Sequence, residues 1–171
     1  MQIYTLGYQG LTSQFYSKAL VDAGVNLVID VRENPWSYRS EYIGAILKRE
    51  LATAGIDYEH WRALGNPASI RKTAKTAAQC LRRYTAHLAR QPQVTDLLAE
   101  KVLQEWNNGR RICLTCFEKD VDGCHRSIII AELLRRQPKI VPINLCPEPP
   151  RRKSPRSAAK PKQIVLAPSL S

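Results

Sequence analysis

Three times along this chain a helix-like stretch ends on a glycine and a β-rich run follows within a residue or two: Ala23-Gly24-Val25, Ala54-Gly55-Ile56 and Asn108-Gly109-Arg110. Glycine takes the left-handed conformation that closes a helix at no steric cost, so each joint hands a helix over to a strand. Three such joints in one chain argue that helices and strands alternate. Strands are expected over residues 3–6, 25–31, 56–61, 111–116 and 140–145, and helices over 40–54, 72–90, 93–108 and 128–136. A first helix, capped by Thr12 or Ser13, carries Phe15, Leu20 and Val21 on one face. The pattern is that of a three-layer α/β/α domain with a mostly parallel sheet of about five short strands.

At 171 residues with 44% hydrophobic side chains, the chain can fill one core and not two. Past residue 146 the composition changes: Pro147, Pro149, Pro150, Pro155, Pro161 and Pro168 fall among Arg, Lys, Ser and Ala. A single domain over 1–146 followed by a flexible basic tail over 147–171 is therefore expected. Within that tail Ile164-Val165-Leu166 is an apolar patch able to dock on an edge strand or a partner. The net charge of +11 is shared between body and tail, since residues 148–171 hold six basic side chains and one acid. A basic body with a basic tail favours polyanionic partners, nucleic acid above all, because neutralising phosphates releases counterions.

The odd count of five cysteines, together with a start at Met1 that shows no signal-like apolar run, reads as a reduced, cytoplasmic protein. No apolar stretch approaches the roughly 20 residues that span a bilayer, so no membrane partner is expected.

A parallel sheet binds its ligands at the carboxyl ends of its strands. Four loops should meet there: Gly7-Tyr8-Gln9-Gly10, residues 32–39, residues 62–70 and residues 117–123. The first places two glycines between a strand and a helix, as a phosphate-cradling turn would, but matches neither the dinucleotide nor the nucleoside-triphosphate spacing. In the second, Asp30 and Arg32 share a strand face and can pair, beside Pro35, Trp36, Ser37, Tyr38 and Arg39. Such a pair is either a structural ion pair or one wall of a base or anion pocket. The third loop is turn chemistry around Leu64-Gly65-Asn66-Pro67. The fourth carries Glu118 and leads to Cys124-His125-Arg126-Ser127 opening an apolar helix, whose N-terminus presents free N–H groups to an anion.

The Cys113-Leu114-Thr115-Cys116 run invites a metal reading, yet the two thiols point to opposite faces of a strand and no second such pair follows. No metal ligand set is expected, although Cys116, Cys124 and His125 remain a third, thinner option. Thiolate chemistry at Cys116 is disfavoured, because Glu118, Asp120 and Asp122 would raise the pKa and no arginine is at hand to cradle an anion around sulfur.

The blocks Ile3-Tyr4-Thr5-Leu6-Gly7-Tyr8, Asp30-Val31-Arg32-Glu33-Asn34-Pro35 with Ser37 and Arg39, Leu64-Gly65, and Leu114-Thr115-Cys116-Phe117-Glu118-Lys119 leading to Cys124-His125-Arg126 together resemble the domain of unknown function 488 family. The resemblance runs over about residues 1–145 and implies a compact α/β fold. It also implies a pocket shared by Gly7, Asp30, Arg32, Pro35, Arg39, Glu118, Cys124, His125 and Arg126.

The expected function is an enzyme acting on a nucleotide, another phosphate-containing ligand or a nucleic acid. Arg32, Arg39 and Arg126 would hold phosphate, Trp36 or Tyr8 would stack on a base, and Asp30, Glu118 or His125 would move protons, with Gly7, Pro35, Cys124 and Ser127 shaping the site. The alternative is a non-catalytic nucleic-acid-binding module that uses Arg82, Arg83, Arg90 and the tail. Cofactor and oligomeric state are not legible.

Overall fold

A computed structural model describes residues 1–147; the expected tail, including Ile164-Val165-Leu166, lies outside the described residues from residue 148 onward. Five strands, β1 (Gln2–Gly7), β2 (Leu27–Asp30), β3 (Asp57–His60), β4 (Ile112–Cys116) and β5 (Val141–Asn144), form one sheet in the order β3-β2-β4-β1-β5. Every pairing is parallel. Helices α1 (Ser13–Asp22) and α2 (Gly44–Thr53) cover one face, while α4 (Ala77–Ala89), α5 (Pro92–Asn107) and α6 (His125–Arg136) cover the other, with short α3 (Ala68–Thr73) leading into α4. No helix among the described residues is long and apolar enough to cross a membrane.

Alternation along each strand feeds two separate cores. Ile3, Ile29, Leu114 and Cys116 pack with Tyr84, Leu98, Ile129 and Leu133, whereas Tyr4, Leu6, Val28 and Cys113 pack with Tyr16, Leu20, Leu47 and Leu51. The period of two in a strand thus sends Cys113 and Cys116 to different sides. Gly24, Gly55 and Gly109 sit at φ of 66°, 71° and 74°, so all three helix-to-strand joints use the left-handed residue that only glycine adopts cheaply.

Several boundaries differ from the pattern, each for a local reason. The stretch over 72–90 is two helices, because Thr76 turns outward and its hydroxyl caps α4 at Gln79 N–H (3.1 Å). Helix α2 begins at Gly44 rather than Ser40: Gly44 N–H donates to the Pro35 carbonyl at 2.8 Å, and only a single 3₁₀ turn occupies Ser40–Tyr42. Thr12, not Ser13, caps α1. Helix α6 starts three residues earlier than its apolar run, at His125, with the Cys124 sulfur accepting from Arg126 N–H as the cap.

The layering places a crevice. The chain leaves β1 toward α1 on one face and leaves β4 toward α6 on the other, and β1 and β4 are neighbours in the sheet. Where adjacent strands send their connections to opposite faces, their carboxyl ends splay apart and leave room for a ligand.

Candidate functional site

Gly7 and Cys116 stand abreast at the ends of β1 and β4, and the loops beyond them are zipped together by Tyr8 N–H to the Cys116 carbonyl (3.2 Å) and Gln9 N–H to the Phe117 carbonyl (2.8 Å). The approach leaves no space for a side chain on Gly7, whose Cβ would lie 1.7 Å from the Glu118 carbonyl oxygen. This contact folds the 117–123 loop back over the strand and delivers Cys124 to Cys116.

Four side chains converge there. The Cys116 and Cys124 sulfurs are 3.0 Å apart, and Glu118 Oε2 lies 2.9 Å from the first and 3.3 Å from the second. His125 Nδ1 stands 3.6 Å from Cys124 Sγ, while its Nε2 is 2.8 Å from the Val31 carbonyl. Because a carbonyl only accepts, Nε2 carries a hydrogen, and Nδ1 is the ring atom turned to the cluster.

Arg126 lies beneath the cluster with no solvent exposure. It donates to Thr5 Oγ1 (2.6 Å), to the Glu118 carbonyl (2.6 Å) and through Nε to Cys124 Sγ (3.3 Å). Among the described residues no carboxylate pairs with it, so sulfur is its counter-charge. Hydrogen bonding from Cys116, aided by His125 and Arg126 against the opposing effect of burial, holds the Cys124 thiol well below its usual pKa. Burial drives Cys116 the other way. Burial also disfavours a charged His125, but the Cys124 thiolate outweighs it and the pKa is raised. The expectation that no arginine reaches sulfur therefore fails: Arg126, on the first turn of α6, points inward rather than to solvent.

The second buried pair is closed. Asp30, fully buried, accepts from Arg32 Nε (2.8 and 3.0 Å), Arg32 Nη2 (2.5 Å) and the Tyr58 hydroxyl (2.7 Å). Arg32 Nη1 donates to the Tyr8 hydroxyl and the Tyr42 carbonyl, both at 2.9 Å. Burial and the Asp30 carboxylate together keep the Tyr58 hydroxyl above its usual pKa.

Above these groups opens a cavity of about 700 Å³. Of the expected site residues, Tyr8, Arg32, Trp36, Arg39, Glu118 and His125 line it, joined by Cys116, Phe117, Tyr38 and Arg71. Asp30 does not reach it, which removes it from the proton-transfer candidates. Gly7, Cys124 and Arg126 lie below it, Pro35 supports the start of α2, and Ser127 Oγ turns back to the Cys124 carbonyl (2.8 Å). Tyr8 is stacked on Tyr42 with centroids 4.1 Å apart and only 3% exposed, so its ring is not free for a base. Trp36, half exposed and edge-on to Tyr38, is free. Arg39 and Arg71 reach the cavity as partly exposed cations paired with Glu41 and Glu33.

An α/β domain with a crevice at its topological switch point and a cluster of two thiols, a carboxylate and an imidazole on the crevice floor is the class of protein these features define. A family model described as domain of unknown function DUF488 matches residues 12–133, and the chain belongs to that family. The match takes in the cluster and leaves β1, with Gly7 and Tyr8, outside it. No curated protein and no solved structure matches the chain.

Proposed function

We propose that this protein is an enzyme acting on a small phosphate ester with a planar ring, such as a nucleotide, bound in the cavity above the Cys116–Glu118–Cys124–His125 cluster. The observation that carries the reading is the polarity of that cavity: reactive groups sit at its floor, with an exposed indole and two partly exposed guanidinium groups on its walls. Trp36 would stack on the ring, and Arg39 and Arg71 would meet the phosphate by exchanging their carboxylate partners Glu41 and Glu33 while keeping their bonds to the Leu11 and Asn66 carbonyls. Glu118 and His125, both on the wall, would face the reacting end. Arg32 and Arg126 are committed to protein acceptors, so they shape and charge the site rather than grip phosphate. A reducing, cytoplasmic compartment would suit the five free thiols.

Calorimetric titration with a panel of mononucleotides, followed by chromatography of the incubated mixtures, tests this. Binding of at least one nucleotide, with product formed by the wild type and lost in Glu118→Gln at nearly unchanged affinity, is the expected result. No binding across the panel, or turnover indifferent to Glu118→Gln, overturns it.

One observation favours a second reading, a nucleic-acid-binding module. Residues 60–95 contain Arg62, Arg71, Lys72, Lys75, Arg82, Arg83 and Arg90, all exposed, and no Asp or Glu. Such charge segregation beside the cavity mouth suits a phosphate backbone. It predicts single-strand binding that weakens steeply with salt and ignores Glu118→Gln.

A further inference from the structure

We propose that Cys116, Glu118, Cys124 and His125 form a binding site for a transition-metal dication, with zinc the best chemical fit. The inference deepens the enzyme reading and rests on the same cluster, though not on the identity of the cavity's ligand.

The first argument is geometric. One ligand atom from each of the four residues lies within 4.8 Å of every other. A tetrahedral ion with arms of about 2.0–2.3 Å needs its ligand atoms roughly 3.3–3.8 Å apart, a spacing that falls between the 3.0 Å of the two sulfurs and the 4.8 Å that bounds the set, so side-chain adjustments of about 1 Å close it on an ion. Two sulfurs, one imidazole nitrogen and one carboxylate oxygen form a mixed soft set that favours zinc or iron over magnesium or calcium.

The second argument is electrostatic. Three acidic groups meet at 2.9–3.3 Å, and the guanidinium beneath them touches only one, Cys124. A dication at their centre would give all three a positive partner at once, where now only Cys124 has a cation in contact. Any protons still on Cys116 or His125 leave to solvent as the ion enters, so no oxidant or reductant is required.

The third argument is the support around the ligands. The Val31 carbonyl takes the His125 Nε2 hydrogen and presents Nδ1 inward, and the Arg126 N–H groups at 3.3 and 3.4 Å direct the Cys124 sulfur. Hydrogen bonds of this kind to metal-bound imidazole and thiolate fix their orientation and tune their basicity. Cys116, Glu118 and His125 all reach the cavity wall, so an ion held here meets whatever the cavity binds. Glu118 and His125 would then act through the ion rather than as a free acid and base.

The test uses the tag-free full chain, purified without chelator, with metal measured by mass spectrometry and cobalt uptake followed by optical absorption. The expected result is roughly one ion per chain surviving gel filtration, a thiolate-to-cobalt band on substitution, and loss of both in Cys116→Ser and Cys124→Ser. Glu118→Gln, a change of shape-conserving kind, should weaken affinity by about 10-fold or more while the far-ultraviolet spectrum stays native; this keeps the test decisive should a serine variant fail to fold. A chain that is metal-free and refuses zinc and cobalt overturns the proposal, as does a chain whose Cys116 and Cys124 are joined in a disulfide as purified. Metal retained with no nucleotide bound upholds this site and overturns the enzyme reading, while nucleotide turnover in metal-free protein does the reverse.

Discussion

Two arginines are buried at the same sheet edge, and they differ in what neutralises them. Arg32 faces a carboxylate, a tyrosine hydroxyl and a carbonyl in a closed set, and Asp30 in turn has every lone-pair direction occupied. Arg126 faces a threonine hydroxyl, a carbonyl and a sulfur, with no carboxylate among the described residues. The first arrangement is self-sufficient and holds the β2 end to the 32–43 loop. The second leaves acidity gathered on one side of the cation, open to a further positive partner. Both constellations border the cavity, Arg32 through its own side chain and Arg126 through the Cys116, Glu118 and His125 side chains above it.

The comparison breaks most easily at Asp30. Asp30→Ala strips a buried guanidinium of its counter-ion and should destabilise the fold by about 3–5 kcal/mol in chemical denaturation, while metal content per folded chain stays at the wild-type value. Asp30→Leu combined with Arg32→Met should recover part of that loss, because removing both charges leaves none unpaired. An Asp30 variant that stays folded yet loses the ion would erase the distinction between the two arginines.

Next in size is Arg126→Met, which fills similar space but removes the donors to Thr5, to Glu118 and to Cys124. It should cost about 1–3 kcal/mol for buried acceptors left unmade and lower metal affinity by about 10–100-fold. The ratio of the two effects is the informative quantity: Asp30 acts on stability alone, Arg126 on both.

The smallest expected change in stability belongs to Trp36→Ala, within about 0.5 kcal/mol for an exposed side chain without buried partners. Nucleotide affinity, measured by calorimetry, should nonetheless fall by about 1–3 kcal/mol if the indole stacks on a base. Unchanged affinity would move the ligand away from the aromatic wall.

Most of the architecture was legible because it rests on local grammar. Gly24, Gly55 and Gly109 mark joints whose backbone conformation few other residues adopt, and strand periodicity alone separates Cys113 from Cys116. The break before α4 was harder, since Thr76 lies inside an otherwise continuous helical pattern and only its outward turn reveals a cap. The candidate site was legible in part. Glu118 and His125 were recognisable from their place after β4, but the pairing of Cys116 with Cys124 depends on the 117–123 loop folding back against Gly7 from a distant strand. Charged residues are rarely fully buried, so nothing local says that Arg126 turns inward, nor that Asp30 and Arg32 saturate one another through Tyr8, Tyr42 and Tyr58. Arg71 escaped notice because α3 brings it to the cavity through tertiary packing.

The claim on which the account turns is that side chains from the end of β4, its following loop and the start of α6 meet at one point. X-ray absorption at the metal edge of the zinc-loaded protein measures that meeting directly. The account predicts a first shell of two sulfurs at about 2.3 Å and two lighter nitrogen or oxygen scatterers at about 2.0–2.2 Å. A shell built from nitrogen and oxygen alone would contradict it.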